Sequence, residues 1–166
     1  MKKLAGLLLL FFCFNSVVAE NRNIPLFHIE RNKNESIVCY ELRIKDNAID
    51  TKEPIHAYWK NPHKNGNINE LSLLQKKLAY GVSVKNIDKN TITFTMTAYP
   101  ERPVKVVYNQ LEQKAEAYIS INGIQTLLTK MYIHATPPAY RSVEYVILNG
   151  INQHSNKKES EQINNK

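Results

Sequence analysis

Cysteine is scarce in this sequence. Among 166 residues there are two, Cys13 and Cys39. Cys13 falls in an N-terminal apolar run that reads as a leader, which leaves Cys39 alone and excludes an internal disulfide. Stability must therefore come from packing. Cys39 is expected as a buried or inert thiol in preference to half of an intermolecular bridge. Apolar runs long enough for a transmembrane helix are missing after the leader. No His-x-His or His-Glu-x-x-His pair exists among the five histidines, so the spacing that marks a zinc site is missing. Also missing are a Gly-x-Ser-x-Gly elbow, a P-loop and a dinucleotide fingerprint. Glu30, Glu41, Asp50, Glu53 and Glu144 are spread too evenly to nominate a glycosidic carboxylate pair. Together these gaps weaken the case for an enzyme, and no cofactor or metal is expected.

What is present begins with the leader. Lys2 and Lys3 precede "LAGLLLLFFCF", an apolar core too short to span a bilayer comfortably, and "SVVA" places small Val17 and Ala19 before a cleavage point. Residues 1–19 are expected to be a signal peptide, with the mature chain starting at Glu20 and exported to the periplasm or beyond. An uncleaved anchor is disfavoured by the length of the core. Lipidation at Cys13 is disfavoured by the bulk of Phe12. Loss of Lys2 and Lys3 lowers the formal charge from +7 to +5. A modestly basic protein outside the cytoplasm suits anionic lipid, acidic polysaccharide or an acidic protein better than nucleic acid.

The rest of the chain repeats with period two. "TITFTMTA" sets Ile92, Phe94, Met96 and Ala98 against four threonines, the pattern of a strand with one buried face. "SIVCYELRIK", "PIHAYWK", "GVSVKNI", "PVKVVYN" and "SVEYVIL" read as further strands. Asn122-Gly123 predicts a type I′ hairpin in which Ile121 opposes Ile124 and Tyr118 opposes Leu127. Asn149-Gly150 reads as ending the last strand in the same manner. "NINELSLLQKKLAYG" departs from the pattern. Its Leu71, Leu74 and Leu78 predict a helix over about 68–80, capped by Asn67 with Glu70 and closed by a left-handed Gly81. "HSNKKESEQINNK" has almost no apolar residues and is expected to be a flexible tail, 154–166. The reading is a single mainly-β domain over 20–153. About eight strands would form an antiparallel sandwich or partly closed barrel with one inserted helix.

Four stretches carry a family resemblance: "FHIERNKN", "PIHAYW", "ELSLLQKKLAYG" and "SVEYVILNGIN". In this order, over about 25–153, the chain resembles the bacterial family DUF4833, a domain of unknown function. The resemblance implies a small, exported, mainly-β protein and implies no reaction.

Seven residues are candidates for ligand contact: His28, Glu30, Arg31, His56, Tyr58, Lys60 and His134. His28 and Glu30 project to one face of a first strand while Phe27 and Ile29 point to the core. Arg31 follows, free to swing to either face and offer its planar fork to a phosphate or carboxylate. Tyr58 shares a strand face with His56 and Lys60, whereas Trp59 belongs with the core. A zinc site built from His28, Glu30, His56 and His134 is conceivable in a sheet but lacks a spacing signature. Lys76, Lys77, Arg102, Lys105 and Arg141 would make an anion patch if they converged.

The leading expectation is an exported, non-catalytic binding module of the bacterial envelope for an anionic lipid or glycan. The alternatives are an envelope hydrolase using His28, Glu30, His56 or His134, and an assembly factor that binds another envelope protein. On the leader reading, intact-mass spectrometry of the exported protein returns an N-terminus at Glu20. A membrane-bound product that keeps residues 1–19 would overturn it.

Overall fold

The computed structural model describes residues 21–32, 34–64, 66–137 and 142–164. The leader and Arg141 lie outside the described residues. The period-two segments form strands β1 (Arg22–Arg31), β2 (Asn34–Lys45), β3 (Ala48–Ile49), β4 (Ile55–Lys60) and β5 (Ile68–Glu70). A one-turn helix α1 (Leu73–Gln75) then runs into a π-helical turn, Lys76–Tyr80. The remaining strands are β6 (Val82–Ile87), β7 (Thr91–Met96), β8 (Tyr99–Asn109), β9 (Lys114–Ile121), β10 (Ile124–Ala135), β11 (Val143–Asn152) and β12 (Lys157–Asn164).

All twelve belong to one sheet whose main path is β5-β4-β2-β1-β10-β9-β8-β7-β6, with β11 and β12 branching from β10 and β3 from β2. The mainly-β class stands, and the sheet curls into a partial barrel. The fork is at β10. It pairs with β9 through Ile124–Leu127, with β1 through Lys130–Ile133, and with β11 through Leu127–Ala135. The β1–β10 ladder is parallel, a departure from the all-antiparallel expectation. A parallel pair needs a long crossover, which here is the whole chain from β2 to β9. The two arms fold over a shared core: Phe27, Tyr40 and Leu42 from one arm meet Phe94, Val104, Val106 and Ile119 from the other. Phe27 and Tyr40 stack with ring centroids 4.7 Å apart.

Three expectations need correction. The helix over 68–80 is replaced by β5, α1 and the π turn. Its cap is Ser72 with Gln75, not Asn67 with Glu70: Gln75 N donates to Ser72 Oγ at 3.2 Å and Ser72 N donates to Gln75 Oε1 at 2.9 Å. Gly81 is extended (φ −66°, ψ 163°), not left-handed. It must be glycine because a Cβ there would lie 2.2 Å from the Lys76 carbonyl oxygen, which accepts the Gly81 N–H to close the π turn.

Residues 157–164 are not a loose tail, since β12 pairs along β11 from Asn152↔Lys157 to Tyr145↔Asn164. Alternation with little apolar content was enough: Ile163 packs against the core, and the neighbouring Glu161 is fixed by Arg102 through two bonds of 2.6 Å. Such forked carboxylate–guanidinium bonds are both strong and directional. Finally, Asn149-Gly150 lies inside β11 and makes no turn.

The Asn122-Gly123 hairpin is as expected, with φ of 50° and 78° and Ile121 opposite Ile124. The two glycines therefore differ in kind. A Cβ at Gly123 meets nothing within 4 Å, whereas one at Gly150 meets the Leu127 carbonyl oxygen at 2.5 Å and the Thr126 methyl at 2.6 Å. Gly123→Ala should lower stability by about 1–2 kcal/mol, a cost of backbone conformation alone. Gly150→Ala should cost more, because strand backbone must move. Denaturant melts of the two variants check the order; equal losses would mean β10 and β11 are not packed this closely.

Candidate functional site

Six of the seven candidate residues share one face of the sheet, the side away from the core. Register sets this directly. Tyr40, Val38 and Ala57 point inward, so Cys39, Glu41, His56, Tyr58 and Lys60 point outward across β2 and β4. On β1, Phe27 and Ile29 are buried, which turns His28 and Glu30 out beside Lys130 and Tyr132 of β10. His134 continues that row.

Arg31 does not join them. Its guanidinium donates to the Tyr80 hydroxyl at 2.7 Å, at the core-side end of β1. Residues beyond Ile29 run through a register shift, and Tyr80 offers a fixed acceptor there. His28 and Arg31 therefore share no concavity.

The outward groups form three separate networks. In the first, His56 Nε2 lies 2.8 Å from Glu70 Oε1 and its Nδ1 3.8 Å from Glu41 Oε2, while the Tyr58 hydroxyl donates to Glu41 Oε1 at 2.6 Å. The bond from His56 holds the Glu70 carboxyl below its ordinary value. Burial pushes the neighbouring Cys39 thiol up, the opposite of what a nucleophile needs.

In the second, Glu30 bridges His28 at 3.2 Å and Lys130 at 3.0 Å. Burial raises the Glu30 pKa, but hydrogen bonds from Lys130 and then His28 outweigh it and keep the carboxyl low. In the third, His134 stacks on Tyr145 (4.7 Å, 2° between planes) and approaches Glu144 at 3.5 Å. His28, His56 and His134 thus engage different carboxylates, with none shared between them. The four residues of the conceivable zinc set are divided among all three networks. Among the described residues no group of three or more His, Cys, Asp and Glu side chains is arranged to hold a metal ion.

A second feature lay outside the candidate set. The stretch between buried Leu71 and buried Tyr80 turns its leucines to solvent: Leu73 is 87%, Leu74 65% and Leu78 65% exposed. Ile68 on adjoining β5 is also exposed, and Lys76 and Lys77, both exposed, lie between Leu74 and Leu78 in the same segment. Read as a stripe, Leu71, Leu74 and Leu78 suggest burial. The contrary signal was Leu73, apolar but off that stripe, followed by two lysines. Both ends of the segment are tied down. Tyr80 O accepts the Tyr40 hydroxyl at 2.9 Å, its own hydroxyl accepts the Arg31 bond, and Trp59 packs edge-on against its ring at 5.3 Å. Ala98 N bonds Ala79 O and Thr97 N bonds Gly81 O, which fixes the exit.

Residues 27–162 match the family model described as Domain of unknown function (DUF4833). The chain belongs to the DUF4833 family. The match spans the first-strand His28, Glu30 and Arg31, the leucine turn and all but the end of β12, so this DUF4833 chain carries both features within its family region. No curated protein and no solved structure matches it.

The carboxylates give the face a pH signature. Glu30 and Glu70 both have folded-state pKa values below 4.5, the ordinary value. Between those values and 4.5 the unfolded chain binds more protons, so the stability these pairs add is complete above that window and lost as pH falls through it. Glu30→Gln with Glu70→Gln should flatten the drop in melting temperature between about pH 5 and about pH 3. At neutral pH the cost should stay near 1 kcal/mol or less for each pair, since both carboxylates are well exposed. Parallel acid limbs for variant and wild type would overturn this assignment.

Proposed function

We propose that this DUF4833 protein is an exported, non-catalytic binding module that docks on an anionic lipid surface through the Leu73–Leu78 turn. One observation carries the reading: three leucines, in a segment held between buried Leu71 and buried Tyr80, stand in solvent with exposed Lys76 and Lys77 among them. Leaving a leucine exposed forgoes about 1.5–3 kcal/mol of burial. A fold that could tuck Leu74 and Leu78 under the turn instead holds them out, by way of a π turn that only Gly81 permits. π turns of this kind recur at functional sites.

Apolar side chains at a tip with a basic collar suit the interface of a bilayer. The leucines enter the acyl boundary while the lysine stems reach up to anionic headgroups, each lysine adding about 1 kcal/mol near such a surface. Charge in the patch is of one sign apart from Glu70, which His56 engages. A protein partner is less well matched, because a stable interface takes roughly 20–30 residues a side. The paired histidines and carboxylates of the outer face support the non-catalytic part, since none faces an enclosed cleft with a nucleophile.

Co-sedimentation with phosphatidylcholine vesicles, with and without phosphatidylglycerol, tests the reading. Wild type should pellet only with the anionic vesicles. Leu74→Ser with Leu78→Ser, and separately Lys76→Glu with Lys77→Glu, should weaken binding by about tenfold or more at unchanged melting temperature. A wild-type protein that stays in solution with both vesicle types would overturn it, as would leucine variants that pellet like wild type. Capture of a lipid-free protein through the same leucines, without vesicle binding, would replace lipid docking by the assembly-factor alternative.

A further inference from the structure

The outer face of β10, β11 and β12 carries a feature that the docking turn does not use. Rows set by register place Lys130, Asn149 and Ser160 side by side, then Tyr132, Ile147 and Gln162, then His134, Tyr145 and Asn164. The middle and last rows hold three rings close together. His134 and Tyr145 are stacked, and Tyr132 lies 6.5 Å from each at about 40° to both. The first row borders a groove. A register shift between Leu128 and Lys130 bulges Thr129 out of the ladder and opens a cleft of about 550 Å³ lined by Thr129, Lys130, Asn149, Ile151, Lys158 and Ser160. Bulges beside sites commonly serve to re-aim a side chain.

We infer that this surface is an oligosaccharide-binding site. A pyranose has one face of C–H groups and a rim of hydroxyls, so its receptor needs an aromatic plane beside a row of paired donors and acceptors. Tyr132 and the His134–Tyr145 pair supply the plane. Asn149 sits at the centre of the row: its carbonyl oxygen accepts the Thr129 hydroxyl at 3.1 Å and its Oδ1 accepts the Ser160 hydroxyl at 3.3 Å. The first bond is to the main-chain carbonyl and ties β10 to β11; the second orients the side-chain amide, whose NH₂ has no protein partner among the described residues and is a donor for a sugar hydroxyl. Lys130, held by Glu30 at 3.0 Å, and Lys158 add donors at the two ends. Glu30, itself linked to His28, adds acceptors beside Tyr132.

The groove volume falls in the range of small-ligand clefts, open at one side as a chain of sugars requires. A lipid tail does not suit this face. Of the large hydrophobic side chains that stand exposed, Leu73, Leu74, Leu78 and Leu111 lie on other elements, and Ile124 lies at the hairpin end of β10, away from the Tyr132, His134 and Tyr145 rings. The site is independent of the lipid-docking turn.

Isothermal titration and backbone-amide NMR with two soluble probes, chitohexaose and solubilised peptidoglycan glycan strands, test the inference. At least one probe should bind and shift amides in β10 and β11 around Tyr132, His134, Tyr145 and Asn149. Tyr145→Ala should weaken that binding about tenfold, through loss of ring contact, and Tyr145→Phe should retain it. Asn149→Ala provides a second variant where loss of the ring loosens the strands, and it should weaken binding with a wild-type melt. Leu74→Ser with Leu78→Ser should bind the sugar as wild type does, which separates this site from the docking turn. The inference is overturned if neither probe shifts these amides, or if Tyr145→Ala and Asn149→Ala both bind with wild-type affinity.

Discussion

Tyr80 is where the curled sheet is held shut. The main path of the sheet ends in β5 on one side and β6 on the other, and the chain between these two strands is the leucine turn. Tyr40, 1% exposed in the middle of the core, donates its hydroxyl to the Tyr80 carbonyl. Arg31 and Trp59 hold the ring. A buried hydroxyl without a partner is costly, so the Tyr40–Tyr80 bond dictates where the turn must sit if the core is to be complete. Everything the turn displays follows from that fixed end.

The two surfaces of the molecule obey different rules. On the sheet exterior, His28, Glu30 and Lys130, and likewise His56, Glu41 and Glu70, are matched to one another along and across strands. Such matching stabilises the sheet by small increments and leaves a face that is polar yet ordered. On the leucine turn the opposite holds. Apolar and cationic groups stand together there, and the backbone beneath them is closed by the Gly81 N–H on the Lys76 carbonyl. An ordered backbone beneath exposed apolar side chains is what the proposed docking role requires.

Most of the fold could be read from the chain because period-two alternation directly reports which residues face a core. The hairpin register at Asn122-Gly123, the inward set of β2 and the outward grouping of His28, Glu30, His56, Tyr58 and Lys60 all follow from it. Three things did not. Burial of Leu71 but not Leu74 depends on a π turn, and that depends on a carbonyl touching Gly81, a contact that periodicity does not encode. β12 has a strand's alternation with Ile163 as its one core-packed apolar side chain, and its Glu161 found a guanidinium 59 positions away. Arg31 could have gone to either face, and its destination was fixed by Tyr80, 49 positions along. The rest of the site was hidden for the same reason: local pattern shows which way a residue points, while long-range partners decide what it meets.

The parallel pairing of β1 with β10 also bears on how the chain reaches this state. Asn32 exchanges two hydrogen bonds with Ala135, 103 positions later, so the first strand has only β2 for a neighbour until most of the polypeptide is in place. Closing so long a loop precedes any gain from the contacts it makes, and folds dominated by such distant partners assemble slowly. The fork at β10 is therefore a late event: until that strand arrives, β1 and β9 have no strand between them and the two arms of the sheet are not joined. A sheet wired this way delays its own completion without any dedicated inhibitor.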